Sequence, residues 1–434
     1  MVHAVCDHMK PLLPNIGLLF PVINIFRKAF SKPQFKQFER YIGGLILLAN
    51  KTVDGMTAAA VEKFDQSSLN RFLTESPWET LKLELRYFSK LRHVFGRNLV
   101  SLIIDDSLAK KTGKHIADVQ FHKSHTDQGY VFGHQFVTAL LKAKNICFPL
   151  FPKLYSKRTC SKIEFAIQLI EHAAKHFRLK EVILDSWYMA TDVIKCALRH
   201  KLRVIGCLKS NRKVSIERGE WLKLSALNKS LRKKDFSTII VDDATYQVYE
   251  KIVRLKHVGF IKLLISRQWM ESEKKWSRPF YLISTDVKLP AATILRIYAD
   301  RWSIETFHRD VKQHLGLEDC QFRTRKGIIR HLMLATLAYA VLKLWMHLKG
   351  VSHTIGEAIR WLQVRLFDDL IITLVEETDL EKRRLLAQPF ISRTAKAQLI
   401  IPLIYTHAFA KQRQIVLHKS SKERKHAIME DISN

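Results

Sequence analysis

Two short stretches, NLVSLIIDD at 98–106 and EVILD at 181–185, are mostly apolar and close on acids. A strand with so little polar surface along its length needs cover on both faces, which points to an α/β layer arrangement. The intervening and following segments fit that requirement. YVFGHQFVTALLKAK and ICFPLFPKLY read as two more strands, KIEFAIQLIEHAAKHF and MATDVIKCALRH as amphipathic helices, and LRVIGCL as a further strand. Functional groups in open α/β sheets collect at the carboxyl ends of strands, where Asp106 and Asp185 fall.

A third carboxylate stands out in Tyr298–Lys312, YADRWSIETFHRDVK. On a helix, Tyr298, Arg301, Glu305 and Lys312 lie at about 0°, 300°, 340° and 320°, within one sector. Ile297, Ile304, Phe307, Val311 and Leu315 occupy the other side and give the helix a face to bury. A carboxylate beside Arg and Lys suits a site that holds a metal ion while gripping an anionic chain. Ordinary ion pairs on a solvated helix face would produce the same stripe, and a lone strand-ending Asp is often only a turn former. The combination of the stripe with two upstream acids is what carries weight.

The charge balance names the class of partner. There are 72 Lys and Arg against 41 Asp and Glu, a net charge of +31, in a chain that is 47% hydrophobic. A folded protein with that surplus calls for a polyanion, and nucleic acid is the expectation. An anionic membrane surface is the rival, but the longest apolar runs, Leu12–Ile25 and Leu332–Met346, are interrupted by Pro14, Pro21 and Lys343 and read as loops or core helices. MVHAVCDHMK lacks the pattern of a secretory signal, so a cytoplasmic protein of a bacterium, acting at the nucleoid and not at a membrane, is expected. Cys6, Cys147, Cys160, Cys196, Cys207 and Cys320 show no paired spacing and imply neither a zinc site nor a disulfide framework. His115, His122, His125 and His134 cluster without carboxylate or Cys partners at ligand spacing.

Five regions follow from these textures. Residues 1–95 are helical and DNA-binding in expectation; GMT and SSLNRFL could form a helix-turn-helix, or the region is a plain bundle. Residues 96–207 hold three antiparallel-looking strands, then helix, strand, helix and strand, the order of a ribonuclease H-like α/β core. Residues 208–286 alternate with period two in FSTIIVDD, TYQVYEKIVRL, GFIKLLISR and RPFYLISTD, a β-rich insertion whose Lys209, Arg212, Lys213, Arg232, Lys233 and Lys234 suit phosphate contacts. The core resumes over 287–345 with the Glu305 helix, and 346–434 are helical with a basic tail, KQRQIVLHKSSKERKH.

Three acids converging in a basic protein would repel one another unless divalent cations lay between them. Hard oxygen ligands select Mg²⁺ or Mn²⁺, and two such ions suit in-line phosphodiester displacement. Here the chain resembles the DDE transposases of bacterial insertion sequences, in the subgroup marked by a Tyr-Arg-Glu-Lys signature: Tyr298, Arg301, Glu305 and Lys312 keep its spacing. LIIDDSLAKKTGKH and VILDSWYMATDVI resemble the family's first and second Asp motifs, and the resemblance spans roughly residues 97–345.

The resemblance implies that Asp106, Asp185 and Glu305 bind the metal and are catalytic, and that Tyr298, Arg301 and Lys312 hold the phosphates and a distorted nucleotide at the cleaved end. Asp105 competes with Asp106 for the first place; the family pattern sets a hydroxyl residue directly after the acid, which favours Asp106 before Ser107. The family's β insertion fits in the 120-residue interval between Asp185 and Glu305, and Trp269 or Trp276 is its candidate for stacking on a flipped base. The implied partners are double-stranded DNA, as terminal inverted repeats and target, and a second copy of the chain. A non-catalytic repressor derived from such an enzyme, and a nuclease of the same core without strand transfer, are the competing readings.

Overall fold

A computed structural model describes residues 16–60, 64–113, 115–124, 129–217 and 219–376. The basic tail, Cys6 and His125 lie outside the described residues.

Short helical turns over Ile16–Ala29 lead into α1 (Lys32–Leu47), α2 (Val53–Ala58), α3 (Gln66–Thr74) and α4 (Thr80–Phe95). Local chemistry sets the starts: the Ser31 hydroxyl and the Gln34 side chain cap one another's backbone at α1, the Thr52 side chain caps α2, and Asp65 caps α3. GMT and SSLNRFL both fold as helix, within α2 and α3, and α3 buries Leu69, Phe72 and Leu73 among its neighbours.

The strands that follow are β1 (Val100–Lys110), β2 (Gln120–Ser124), β3 (Gly129–Ala143), β4 (Ile146–Pro149) and β5 (Lys153–Tyr155). Next come α5 (Lys162–His176), β6 (Leu179–Leu184), α6 (Thr191–Arg199) and β7 (Arg203–Leu208). β3 runs antiparallel to β1, β4 and β5, while β1, β6 and β7 are parallel neighbours. β1 does not end at its acids, as its apolar run implied; pairing with β3 carries it four residues on, to Lys110. β2 had no apolar signal and is a strand because β3 offers it an edge.

The alternating segments fold as strands too. β8 (Lys213–Ser215), β9 (Leu222–Lys223), α7 (Leu224–Ser230), β10 (Ser237–Val241), β11 (Ala244–Leu255), β12 (Gly259–Met270), β13 (Lys275–Trp276) and β14 (Phe280–Ser284) follow in order. They do not form a separate sheet. β14 pairs with β7 on one side and β12 on the other, giving one mixed sheet in the order β2-β3-β1-β6-β7-β14-β12-β11-β8-β9.

Among the described residues, four helices follow the last strand. α8 (Ala291–Ala299) and α9 (Trp302–His314) lead to α10 (Arg325–Lys349), and α11 (Ile355–Glu376) follows. α10 is apolar enough and long enough to cross a membrane, a run longer than the sequence reading allowed, but 89% of its apolar window is buried inside the protein. It is apolar on every side because α1, α3, α9, α11 and β4 all pack on it. Arg330 within it is buried and donates to the carbonyls of Phe72, Leu73, Ser76 and Trp78, which pins the N-terminal helices to the core.

Candidate active site

Register decides which acids meet. Ile104 lies opposite Leu184 in the parallel pair, so one residue further along both chains Asp105 and Asp185 stand side by side. Across β3, Asp105 faces Thr138 and Asp106 faces Val137. Successive strand residues point to opposite faces, so only one of the two neighbouring acids can share a face with Asp185's partners.

The face that Asp105 shares is covered by α9. The Thr138 hydroxyl lies 2.6 Å from His308 Nε2, and His308 is buried on α9. Burial pushes His308 down to about 3, so it works as a neutral spacer rather than a charge. Lys142 of β3 holds the start of the helix, reaching the Ser303 hydroxyl at 2.8 Å and Asp300 at 2.6 Å.

Tyr298–Lys312 is not one continuous helix. Bonds of i→i−3 type, Arg301 N to Tyr298 O at 3.0 Å and Ile304 N to Arg301 O at 3.1 Å, join α8 to α9 through a tight turn. The turn sets Arg301 between two carboxylates: Nη1 is 3.5 Å from Asp105 Oδ2, and Nη2 is 2.5 Å from Glu305 Oε1. Tyr298 sits beneath it, with the guanidinium carbon 5.8 Å from the ring centroid. Lys312 stands apart from the acids; its ammonium donates to Leu108 O at 2.6 Å and lies 3.3 Å from Glu318.

The electrostatics record a crowd of negative charge. Burial, then the charge of Asp185, push the Asp105 carboxyl up to about 7, against the pull of its bond from Asp106 N–H and of Arg301. Asp185 is also raised, by burial first and by the charge of Asp106, although its Oδ1 accepts from Trp187 N at 3.0 Å and Tyr188 N at 3.1 Å. Arg301 bridges Asp105 and Glu305 but leaves Asp185 without a salt-bridge partner among the described residues. A grouping of three ligand atoms within 4.8 Å is found elsewhere, at Glu171, Cys196 and His200 on α5 and the end of α6. The three acids are spread more widely than that grouping, with Arg301 in the gap between two of them.

Asp106 faces the other way, toward α5. Its carboxylate accepts from the Tyr188 hydroxyl at 2.8 Å, from Lys162 Nζ at 3.2 and 3.3 Å, and from Gln135 Nε2. These partners link β1, β3, α5 and the turn after β6. The hydroxyl-residue rule that favoured Asp106 carries no information about facing; strand alternation does, and it puts Asp105 with Arg301 and Glu305.

The remaining expected residues divide. Lys209, just past β7, lies 4.6 Å from the centroid of the Trp187 ring, two residues from Asp185. Arg212 reaches the Thr191 hydroxyl at 3.4 Å, at the start of α6. Trp269 and Trp276 pair across β12 and β13 with ring centroids 5.3 Å apart, and Trp269 Nε1 donates to Glu271. His122 and His134 are buried, and His115 is exposed; they form no ligand group among the described residues. Lys162, Gln135, Tyr188, Lys142 and His308 escaped the sequence reading; Lys162, Gln135 and Lys142 have no spacing relation to an acid, and His308 lies on the apolar side of its helix, three residues past Glu305. Tyr188 alone had a signal, as a large polar aromatic three residues past Asp185.

Residues 102–341, more than half of the chain, match the family model described as Transposase DDE domain, and the chain belongs to that family. It is 29% identical over 138 residues to the "Putative transposase y4zB" of Sinorhizobium fredii (strain NBRC 101917 / NGR234), a match covering 32% of this chain and 34% of that protein. The piggyBac transposase synaptic complex with hairpin DNA aligns with a TM-score of 0.42 at 12% identity, over 87% of this chain and 81% of that one. The Drosophila P element transposase strand transfer complex aligns with a TM-score of 0.17 at 11% identity, over 86% of this chain and 98% of that one. Both scores are too low to support residue equivalences.

Proposed function

We propose that this chain is the transposase of a bacterial insertion sequence, of the Tyr-Arg-Glu-Lys subgroup, which cuts DNA at its element's ends and joins the freed ends to target DNA. The observation that carries this reading is the meeting of Asp105 and Asp185 on parallel strands, with Glu305 tied to Asp105 through Arg301. We assign these three as the acids, and Asp106 as the residue that ties β1 to α5 and Tyr188. The antiparallel β1, β3 and β4 followed by parallel β6 and β7 support a ribonuclease H-like core.

The donor set fits a hard divalent cation. Three carboxylates supply oxygen ligands only, and burial first, then neighbouring carboxylates, raise Asp105 and Asp185. Asp105, Asp185 and Glu305 would hold Mg²⁺ or Mn²⁺, which when bound activates the attacking oxygen and stabilises the leaving oxygen of phosphodiester displacement.

The protein's own groups position the DNA. Arg301 lies between Asp105 and Glu305 with Tyr298 packed under it, and would meet a phosphate at the scissile bond with its remaining N–H groups. Lys209 meets the backbone at the rim, and Lys312 and Arg212 meet phosphates farther along. The net charge of +31 supplies general affinity for double-stranded DNA at the nucleoid, in the cytoplasm. A homodimer brings two terminal repeats together, with contacts from the N-terminal helices of residues 1–95 and the insertion of residues 208–286.

The test offers the protein pre-cleaved ends from its own element and a supercoiled target in Mg²⁺. Joined products support transposition; nicks alone leave a nuclease; no metal-dependent product leaves a DNA-binding protein. Asp105→Ala, Asp185→Ala and Glu305→Ala should each abolish cutting and spare DNA binding.

A further inference from the structure

Two residues past Asp185 an indole is presented to solvent. Trp187 is 48% exposed, while Tyr188 and Met189 beside it are 0% and 3% exposed. Its backbone N–H is held by Asp185, as described above, so the ring is registered to the acids. Two ammonium groups come over that ring, Lys162 Nζ at 4.5 Å and Lys209 Nζ at 4.6 Å from the centroid. They arrive from different elements, the start of α5 and the end of β7.

The half-exposed indole is not part of a core: two ammonium groups hold it beside the acids by cation–π contact. That arrangement suits a ligand that carries both a flat ring and anionic charge. Unpaired nucleotides have both: the base stacks on an aromatic plane while its flanking phosphates meet ammonium groups. A base inside an intact duplex has both its faces stacked and cannot use such a platform. Trp269 and Trp276, the candidates from sequence, already lie against one another.

We propose that Trp187 is a stacking platform for an unpaired nucleobase next to the scissile phosphate, with Lys209 and Lys162 meeting the phosphates beside it. This deepens the transposase reading and rests on it for the identity of the DNA.

The test uses the full chain in EDTA, so that nothing is cut, and a short single-stranded oligonucleotide carrying 2-aminopurine. Wild type and W187F should quench the probe's fluorescence on binding. W187L should fail to quench it and bind roughly 5- to 100-fold more weakly, the range for losing one stacked base. A fully paired duplex of the same sequence should bind wild type and W187L alike. Quenching by W187L equal to wild type, or an equal loss on duplex and single strand, overturns the platform. Should W187L melt early, W187F decides, since a platform requires it to melt with wild type and still quench. A wild-type protein that quenches but cuts nothing in Mg²⁺ would sink the transposase reading and leave the platform standing; normal cutting with unchanged quenching in W187L would do the reverse.

Discussion

Replacing Asp105 by Asn should stabilise the metal-free protein while destroying its activity, and only above a certain pH. In the folded state this carboxyl titrates at about 7, against an ordinary value of 3.8. Between those values the folded chain keeps a proton that the unfolded chain has released, so stability falls as pH rises through the window and is level above it. At ~1.4 kcal/mol per pH unit, the ceiling on that loss is ~4 kcal/mol. The side chain is 18% exposed, so solvent screening removes only part of it. The amide of the D105N variant would keep the shape without the charge. Arg301 would lose its partner at 3.5 Å but retain Glu305 at 2.5 Å, an offset of ~1 kcal/mol. The net gain is then about 1–3 kcal/mol at pH 8 and close to zero near pH 4. Thermal melts of wild type and D105N in EDTA at both pH values, with a cleavage assay in Mg²⁺, measure each half of the claim. A D105N protein that melts below wild type at pH 8, or gains equally at pH 4, refutes the electrostatic argument; one that still cuts removes Asp105 from the site.

Three further outcomes follow from the same geometry. Asp106→Leu strips an acceptor from Lys162, Tyr188 and Gln135 together and should cost about 3 kcal/mol in urea melts, while Asp106→Asn, which still accepts from Tyr188, should cost about 1 kcal/mol and keep measurable cutting. Gly206→Ala would set a methyl group 2.7 Å from the Leu184 carbonyl oxygen and hard against Met189 Sδ, forcing β6 and β7 apart beside Asp185; a loss of about 1–3 kcal/mol is expected, and an unchanged melting temperature would show that the strands can give. Binding of duplex DNA should weaken with salt along a straight log-log line, and Lys209→Ala should reduce the slope by ~1, as read by fluorescence anisotropy at several salt concentrations.

The elements themselves were legible residue by residue. Apolar runs and the period-two alternation over 208–286 are local signals, and local geometry honoured them. β2 and the last four residues of β1 were not, because a neighbour's edge recruited them and no pattern of their own did. The single helix drawn through Tyr298–Lys312 broke at Asp300–Arg301, where nothing in the composition forbids continuation. Lys312 keeps the Glu305 side of α9 but sits two turns on, about 10 Å along the axis, so it reaches the Leu108 carbonyl instead.

What the chain determined by itself was the chemistry available: three motifs rich in acid, a cationic surface, buried strands and the helices to cover them. Only the tertiary structure decided which acid of the Asp105–Asp106 pair meets Arg301. Adjacent strand residues have identical local prospects, and the choice is made by pairing register with β6 and by Arg301, 196 positions away. The same holds for Trp187, whose two lysine neighbours come from the start of α5 and the residue just past β7. Periodicity is a property of neighbours along the chain, whereas a facing is a property of what lies across it.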